Sequence, residues 1–299
     1  MMKNQQRGSI ALITAALFYG FYGIFSRLIG SSFGNFNQSW IRNVIVVVLI
    51  TFVIIINKTK LISFQKKDIK WIILWFMSGS WLTVLTFIAF NNLPIGTTYL
   101  VLYSAMIISG FLSGAVFFKE KITSLKMVSL ILSLVGLFII YRFSISPDKF
   151  FYVFLVLISG FMIGIWNTIS KKFSDHYHNN QIVLMDAVST VIAVFIGSII
   201  FKERLPQTIL SISWVWIGLY AVIQTLNVGL IVYGFKNVEA QIGSTILPIE
   251  IIFATFFAYL IFHEVPGPLL FIGGVFIILA AIIPSLSYFR LLKKSEAHF

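Results

Sequence analysis

The chain contains no cysteine, which excludes disulfide frameworks, thiolate chemistry and iron–sulfur ligation. Charge is also scarce. Asp, Glu, Lys and Arg make up 11% of residues, with 10 acidic against 22 basic, whereas an ordinary soluble domain carries roughly 25%. The four histidines, His176, His178, His263 and His298, form no metal-ligating pattern. His176 and His178 flank one tyrosine in a loop, and there is no His-Glu-x-x-His. No Walker A sequence occurs, which argues against direct ATP coupling. No cofactor or metal is expected.

What is abundant is apolar sequence, at 59% of residues. It falls into runs of the roughly 20 residues that span a bilayer core as a helix, with no room between them for a globular domain. The runs predict ten spans, the first five being Gly8–Ile29, Phe36–Ile56, Ile69–Phe90, Pro94–Phe117 and Leu125–Arg142. The other five are Phe151–Lys171, Gln181–Phe201, Ser211–Gly234, Val238–Phe262 and Pro268–Phe289. Lys3 and Arg7 precede the first run as in a signal peptide, but its length and lack of a small-residue cleavage site make it the first span.

The net charge of +12 does not point to nucleic acid, because the basic residues are scattered among short loops. Alternating the spans across a bilayer puts most of them on one side: Lys3 and Arg7, the Lys58–Lys70 cluster, Lys119, Lys121, Lys126, Lys171, Lys172, Lys236 and Arg290 with Lys293 and Lys294. The other side receives Arg142, Lys149, Lys202 and Arg204, with Arg27 near the outer end of span one. The positive-inside rule then predicts both termini on the cytoplasmic side of a cell membrane. Trp71 and Trp75, opening span three, and Trp214 and Trp216, opening span eight, read as interfacial belt residues.

The chain echoes itself at a spacing of about 144 residues. Gly20, Phe118 and Glu120 recur as Gly164, Phe262 and Glu264, and Ser26-Arg27 recurs as Ser170-Lys171. Two halves are expected, residues 1–146 and 147–299. Five spans in each half is an odd number, so the halves must be inverted relative to each other. Inverted repeats around a midplane site are a transporter architecture.

Three ionisable residues lie well inside spans: Arg42, Asp186 and Glu250. Each costs roughly 2.5–3.5 kcal/mol at a helix centre, so each demands a partner, a polar cavity or a structural reason. Arg42 and Asp186 occupy equivalent positions in the repeat. They read either as a structural ion pair or as a gate or charge site for substrate. Glu250 follows Pro248, which frees a backbone carbonyl, and can bind an amino group or carry a proton.

Polar residues at helical spacing outline a candidate substrate pocket. Gln224 and Asn227 share a face of span eight, and their repeat equivalents Ser80 and Thr83 share a face of span three. Tyr19 and Tyr22, Tyr99 and Tyr103, and Trp166 with Asn167 add aromatic walls with polar tips. Each alone also fits packing or interhelical hydrogen bonding. Gly110 with Gly114, and Gly273-Gly274, mark close helix approach.

These features together resemble the drug/metabolite transporter superfamily, in particular its bacterial EamA-type members. The local match runs from Leu247-Pro248 to Phe262-His263-Glu264, with His263 where glycine is usual. Its first-half counterpart ends Phe118-Lys119-Glu120, with Ser104 in place of proline and Lys119 in place of glycine. Arg42 is similar to the arginine common in the second span. The resemblance implies an all-α polytopic protein of ten helices in two inverted repeats. It also implies a cavity lined by spans one, three, four, six, eight and nine, and makes Glu120 and Glu264 structural marks rather than substrate ligands. Its members move amino acids, metabolites, nucleotide sugars and toxic cations.

The leading expectation is a secondary transporter, not an enzyme, working by alternating access on an amino acid or related metabolite, with the proton as candidate coupling ion. Its expected partners are a small solute and the lipid bilayer. The alternatives are an exporter of cationic drugs or amines and, from another class, an integral-membrane enzyme acting on lipid-like substrates.

Overall fold

The computed structural model describes residues 2–141, 147–205 and 211–296. Arg142, expected to close span five, and the expected boundary between the halves at 146 lie at or beyond those limits. The elements are α1 (Met2–Ile29), α2 (Asn35–Ile56), α3 (Ile69–Phe90), α4 (Ile95–Phe118), α5 (Ser124–Ile140), α6 (Phe150–Phe173), α7 (Asn179–Ile200), α8 (Ile212–Asn237), α9 (Ala240–Ile246), α10 (Glu250–Phe262) and α11 (Pro268–Glu296). Among the described residues there is no strand. The expected ninth span is not one continuous helix. α9 and α10 are separated by a 3₁₀ turn over Leu247–Ile249, because Pro248 lacks the amide an unbroken helix would need.

Eight stretches are long and apolar enough to cross a membrane, α9 and α10 counting as one, and Ser124–Ile140 and Pro268–Pro284 are shorter apolar helices. Phe52, Ile55, Val116, Phe138, Ile199 and Phe271 project outward and are more than half exposed. Asn43, Ser80, Asn167 and Asn227 are fully buried. An apolar rim around a partly polar interior suits lipid as the surrounding solvent. The protein is an integral membrane protein.

Helix pairing reveals the symmetry. α1 packs along α8 and α10, α6 along α3 and α4, α2 against α7, and α5 against α11. Exchanging the halves maps α1–α8 onto α6–α3 and α1–α10 onto α6–α4, while α2–α7 and α5–α11 map onto themselves. Only a two-fold relation does this. Gly8, early in α1, lies against Asn237 and Val238 at the end of α8, and Lys236 Nζ donates to the carbonyl of Ser174 just after α6. The start of α1 and the finish of α6 therefore share one end of the bundle, so the repeats are inverted. That end is called here the amino-terminal end.

The backbone carries the same repeat. The four described non-glycine residues with positive φ are Lys58 (47°), Lys119 (54°), Lys202 (52°) and His263 (56°). Lys58 pairs with Lys202 and Lys119 with His263 at the repeat spacing, each closing a helix in the left-handed conformation that glycine enters most easily. Lys119 and His263 stand where the family resemblance calls for glycine, so they bear a strain of about 1 kcal/mol each. Lys119→Gly with His263→Gly is expected to raise the thermal midpoint; a lowered midpoint would mean that these side chains stabilise more than the backbone strain costs.

Small residues set the helix spacing. A Cβ on Gly160 would lie 2.4 Å from the Leu102 carbonyl, and one on Gly164 2.7 Å from that of Met106. Gly110 abuts Ser244 of α9, while Gly136 and Gly273 face each other across α5 and α11. Trp75 departs from its expected belt role. It is 1% exposed and lies between Trp166 and Phe173, with ring centroids at 6.2 and 5.8 Å. Its span turns that face toward α6, not toward lipid.

Candidate functional site: a cavity between the repeats

A cavity of about 740 Å³ opens between the two halves, within the size range of small-molecule sites. Its walls come from α1, α3, α4, α6, α8 and the α9–α10 break, and also from α2 and α7 through Arg42, Asn43, Asp186 and Thr190. The last two helices go beyond the wall set implied by the family resemblance.

Arg42 is fixed by the start of α2. There Glu203 accepts from the amides of Phe36 (3.0 Å) and Asn37 (2.8 Å), anchoring α2 to the segment after α7. The Arg42 guanidinium lies over the Tyr220 ring at 3.9 Å and 6.0 Å from that of Tyr22. One nitrogen reaches Ser39 Oγ at 3.4 Å, while Nε finds no protein partner. Asp186, its repeat equivalent on α7, accepts instead from Trp166 Nε1 at 3.0 Å. Arg42 and Asp186 are not ion-paired: the described salt bridges join Arg27 to Glu264, Lys126 to Glu239 and Lys171 to Glu120. The charge-pair expectation is therefore corrected. The two-fold relation gives each residue its own surroundings, and those differ: Tyr22 and Tyr220 around Arg42, Trp166 beside Asp186.

Glu250 opens α10 directly after the 3₁₀ turn. Its carboxylate accepts from the Tyr103 hydroxyl. Tyr103 stacks on Tyr99 at 5.8 Å, and Tyr99 on Tyr141 at 5.9 Å. A tyrosine row thus runs along one wall to the carboxylate.

Tyr19, Tyr22, Thr83, Tyr99, Tyr103, Trp166, Asn167, Gln224 and Glu250 all line the cavity. Ser80 and Asn227 do not. Both are fully buried, and Asn227 donates to the Tyr22 hydroxyl at 3.1 Å, a supporting position behind the wall. Gln224 donates to Asn43 Oδ1 at 2.9 Å. Asn167 is the most exceptional wall residue. Its side chain is buried, and neither amide atom finds a protein partner, against the general rule for buried polar groups. Its side chain thus carries unused donor and acceptor capacity at the cavity wall.

Sequence reasoning missed Arg27, Glu264 and Tyr141 as cavity residues. The first two carried a signal in their repeat echo. Nothing in the pattern around Tyr141 distinguished it. Gly79 was also missed; its missing side chain leaves room for the Trp166 indole, 2.5 Å from where a Cβ would stand.

Two stretches, residues 6–142 and 150–286, match the EamA-like transporter family. The second begins 144 residues after the first, the spacing of the internal echo. The chain belongs to the EamA-like transporter family. As a family member it is a membrane transporter of the drug/metabolite transporter superfamily, with a small-molecule substrate and membrane lipid as its partners. Among curated proteins, none matches it significantly. Among solved structures, one crystal structure superposes with a TM-score of 0.79 at 14% identity, over 95% of this chain and 98% of that one. At that identity the likeness shows a shared fold alone.

Proposed function

We propose that the chain is a secondary transporter moving an amino acid or a related zwitterionic metabolite by alternating access around this cavity. The observation that carries this reading is the placement of Arg42, Asp186 and Glu250 on the walls of one cavity. Three intramembrane charges in one place are costly and mark a substrate or ion path. Arg42 without an ion-pair partner suits a carboxylate. Asp186 and Glu250 suit an ammonium group, and Glu250, held by one tyrosine, can also carry a proton. The tyrosines and Trp166 provide amphipathic walls for a side chain or for the cation itself. The excess of two carboxylates over one arginine favours a second reading, an exporter of organic cations or amines.

The charge bias of the loops supports a reading with the amino-terminal end in the cytoplasm and the cavity mouth, marked by Arg27 and Glu264, on the far side. Purified protein in proteoliposomes is expected to show saturable flux of at least one member of a panel of amino acids, amines and metabolites. A thermal-shift screen at two pH values is expected to find the same solute, since a ligand of the folded state raises apparent stability. The absence of both flux and binding across the whole panel would refute the substrate assignment. Flux of amines without amino acids would select the cation reading.

A further inference from the structure

The echo first seen in the sequence becomes two physical devices at opposite ends of the cavity. At the amino-terminal end, Lys171 of α6 donates to Glu120, just beyond α4, at 2.9 Å, and lies over the Phe118 ring at 5.0 Å. At the other end Arg27 of α1 pairs with Glu264, just beyond α10, and lies over Phe262 at 4.1 Å. The two sets are repeat equivalents, residue by residue. Each links one half of the protein to the other.

Their states differ. The Glu120 carboxylate also accepts from the amides of Ala240 (2.8 Å) and Gln241 (3.1 Å) at the start of α9. Lys171 also donates to the Val238 carbonyl at 3.1 Å. Buried Lys126 adds a cross-brace to Glu239 (2.5 Å) and to the Gln241 side chain (2.8 Å). The Glu120 side chain is 5% exposed and that of Lys171 18%. The Arg27 and Glu264 side chains are 56% and 52% exposed and line the cavity mouth. Among the described hydrogen bonds, Glu264 has Arg27 as its side-chain partner and holds no backbone amide.

We infer that these are two alternating latches: Glu120, paired with Lys171, grips the first amides of α9 in this conformation, and Glu264, already paired with Arg27, makes the corresponding backbone grip only when the mouth closes. This rests on the transporter reading above. By the two-fold relation, Glu264 then takes the first amides of α4, around Gly96, as Glu120 takes those of α9 here. α4 and α10 draw together across the mouth while α4 and α9 part at the opposite end.

The latches are not equally strong. Lys126, Glu239 and Gln241 have Leu270, Ile95 and Thr97 as their repeat counterparts, so the cross-brace has no equivalent at the mouth. The conformation with its mouth open is therefore the resting state. Removing one partner of the engaged latch leaves a buried charge uncompensated, which shifts the balance toward the closed mouth.

The test exploits the absence of native cysteine. Spin labels at Lys121→Cys with Asp175→Cys report the amino-terminal end, and labels at Val265→Cys with Ile95→Cys report the mouth. All four sites are exposed. In full-length protein in nanodiscs, Glu120→Gln is expected to lengthen the first distance and shorten the second, changing the population ratio by about tenfold or more. Adding Glu264→Gln is expected to reverse that shift. Lys126→Gln, which removes only the cross-brace, is expected to act in the same direction to a smaller extent, and serves as the background if Glu120→Gln fails to fold. Distances that stay unchanged, or that lengthen together at both ends, would overturn the latch assignment. Because no solute is added, alternating latches without flux would refute the substrate reading alone, and saturable flux with unmoved latches would refute only this inference.

Discussion

Glu250→Gln is expected to abolish recognition of the amino or cationic group, lowering transport about 10- to 100-fold while leaving the fold intact. The substitution keeps the shape and an oxygen that can accept from Tyr103, and removes only the charge. A hydrogen bond to a charged group contributes about 1.5–3 kcal/mol, which sets the size of the loss. If Glu250 is also the proton carrier, the dependence of flux on an imposed pH gradient disappears along with it. Solute uptake measured in proteoliposomes, with and without that gradient, separates the two roles: uptake that still responds to the gradient but at reduced affinity leaves only a binding role. Uptake that matches the unmodified protein in both affinity and pH response would remove Glu250 from the site. The location of this carboxylate makes the expectation strong. It follows the 3₁₀ turn at Pro248, an irregularity that a membrane span tolerates where it lines a cavity.

Gly164→Ala is expected to lower both stability and transport. The added Cβ would stand 2.7 Å from the Met106 carbonyl oxygen, 2.7 Å from Ser109 Cβ and 2.8 Å from the Gly110 amide. Two of those three neighbours are backbone atoms, which cannot swing aside as the end of a side chain can. Overpacking of this kind costs about 1–3 kcal/mol, and the seam it disturbs, α4 against α6, joins the two repeats. A lowered thermal midpoint is expected, together with transport loss, because α4 carries the tyrosine row that reaches Glu250. Gly218→Ala provides the control, since a Cβ there meets nothing within 4 Å and should leave the midpoint in place. Equal midpoints for the two variants would show that α4 and α6 move apart easily.

Much of the architecture could be read from residue order. Helix length, membrane residence and the repeat are one-dimensional signals: runs of apolar residues, and a fixed spacing between Phe118-Lys119-Glu120 and Phe262-His263-Glu264. The ninth span shows where such signals stop. Val238–Phe262 reads as one apolar run with a proline in it, and hydropathy does not show the 3₁₀ turn that separates α9 from α10 there. Trp75 shows the same limit in another way. A tryptophan near the start of a span suits the membrane interface on average, yet this one is turned inward against Trp166 and Phe173.

The site was legible as a set of residue types and not as an arrangement. Gln224 and Asn227 share a helix face by spacing, but Gln224 lines the cavity while Asn227 supports Tyr22 from behind. Arg42 and Asp186 occupy equivalent places in the repeat, and that equivalence invites pairing. The tertiary structure instead gives each its own aromatic neighbours, because a two-fold axis relates surroundings and does not by itself bring equivalent residues into contact.

Sequence alone therefore determined that the chain folds as inverted repeats of apolar helices with a few costly charges near the middle. Only the tertiary structure decided which helix faces look into the cavity, and that the Glu120–Lys171 pair is buried while its counterpart Arg27–Glu264 is exposed. The physical reason is the solvent. In water an apolar stripe tells a helix which way to face, whereas in a bilayer both lipid and helix neighbours are apolar. Close backbone approach at glycines and the few polar partners then set the orientation, and those depend on the whole assembled bundle.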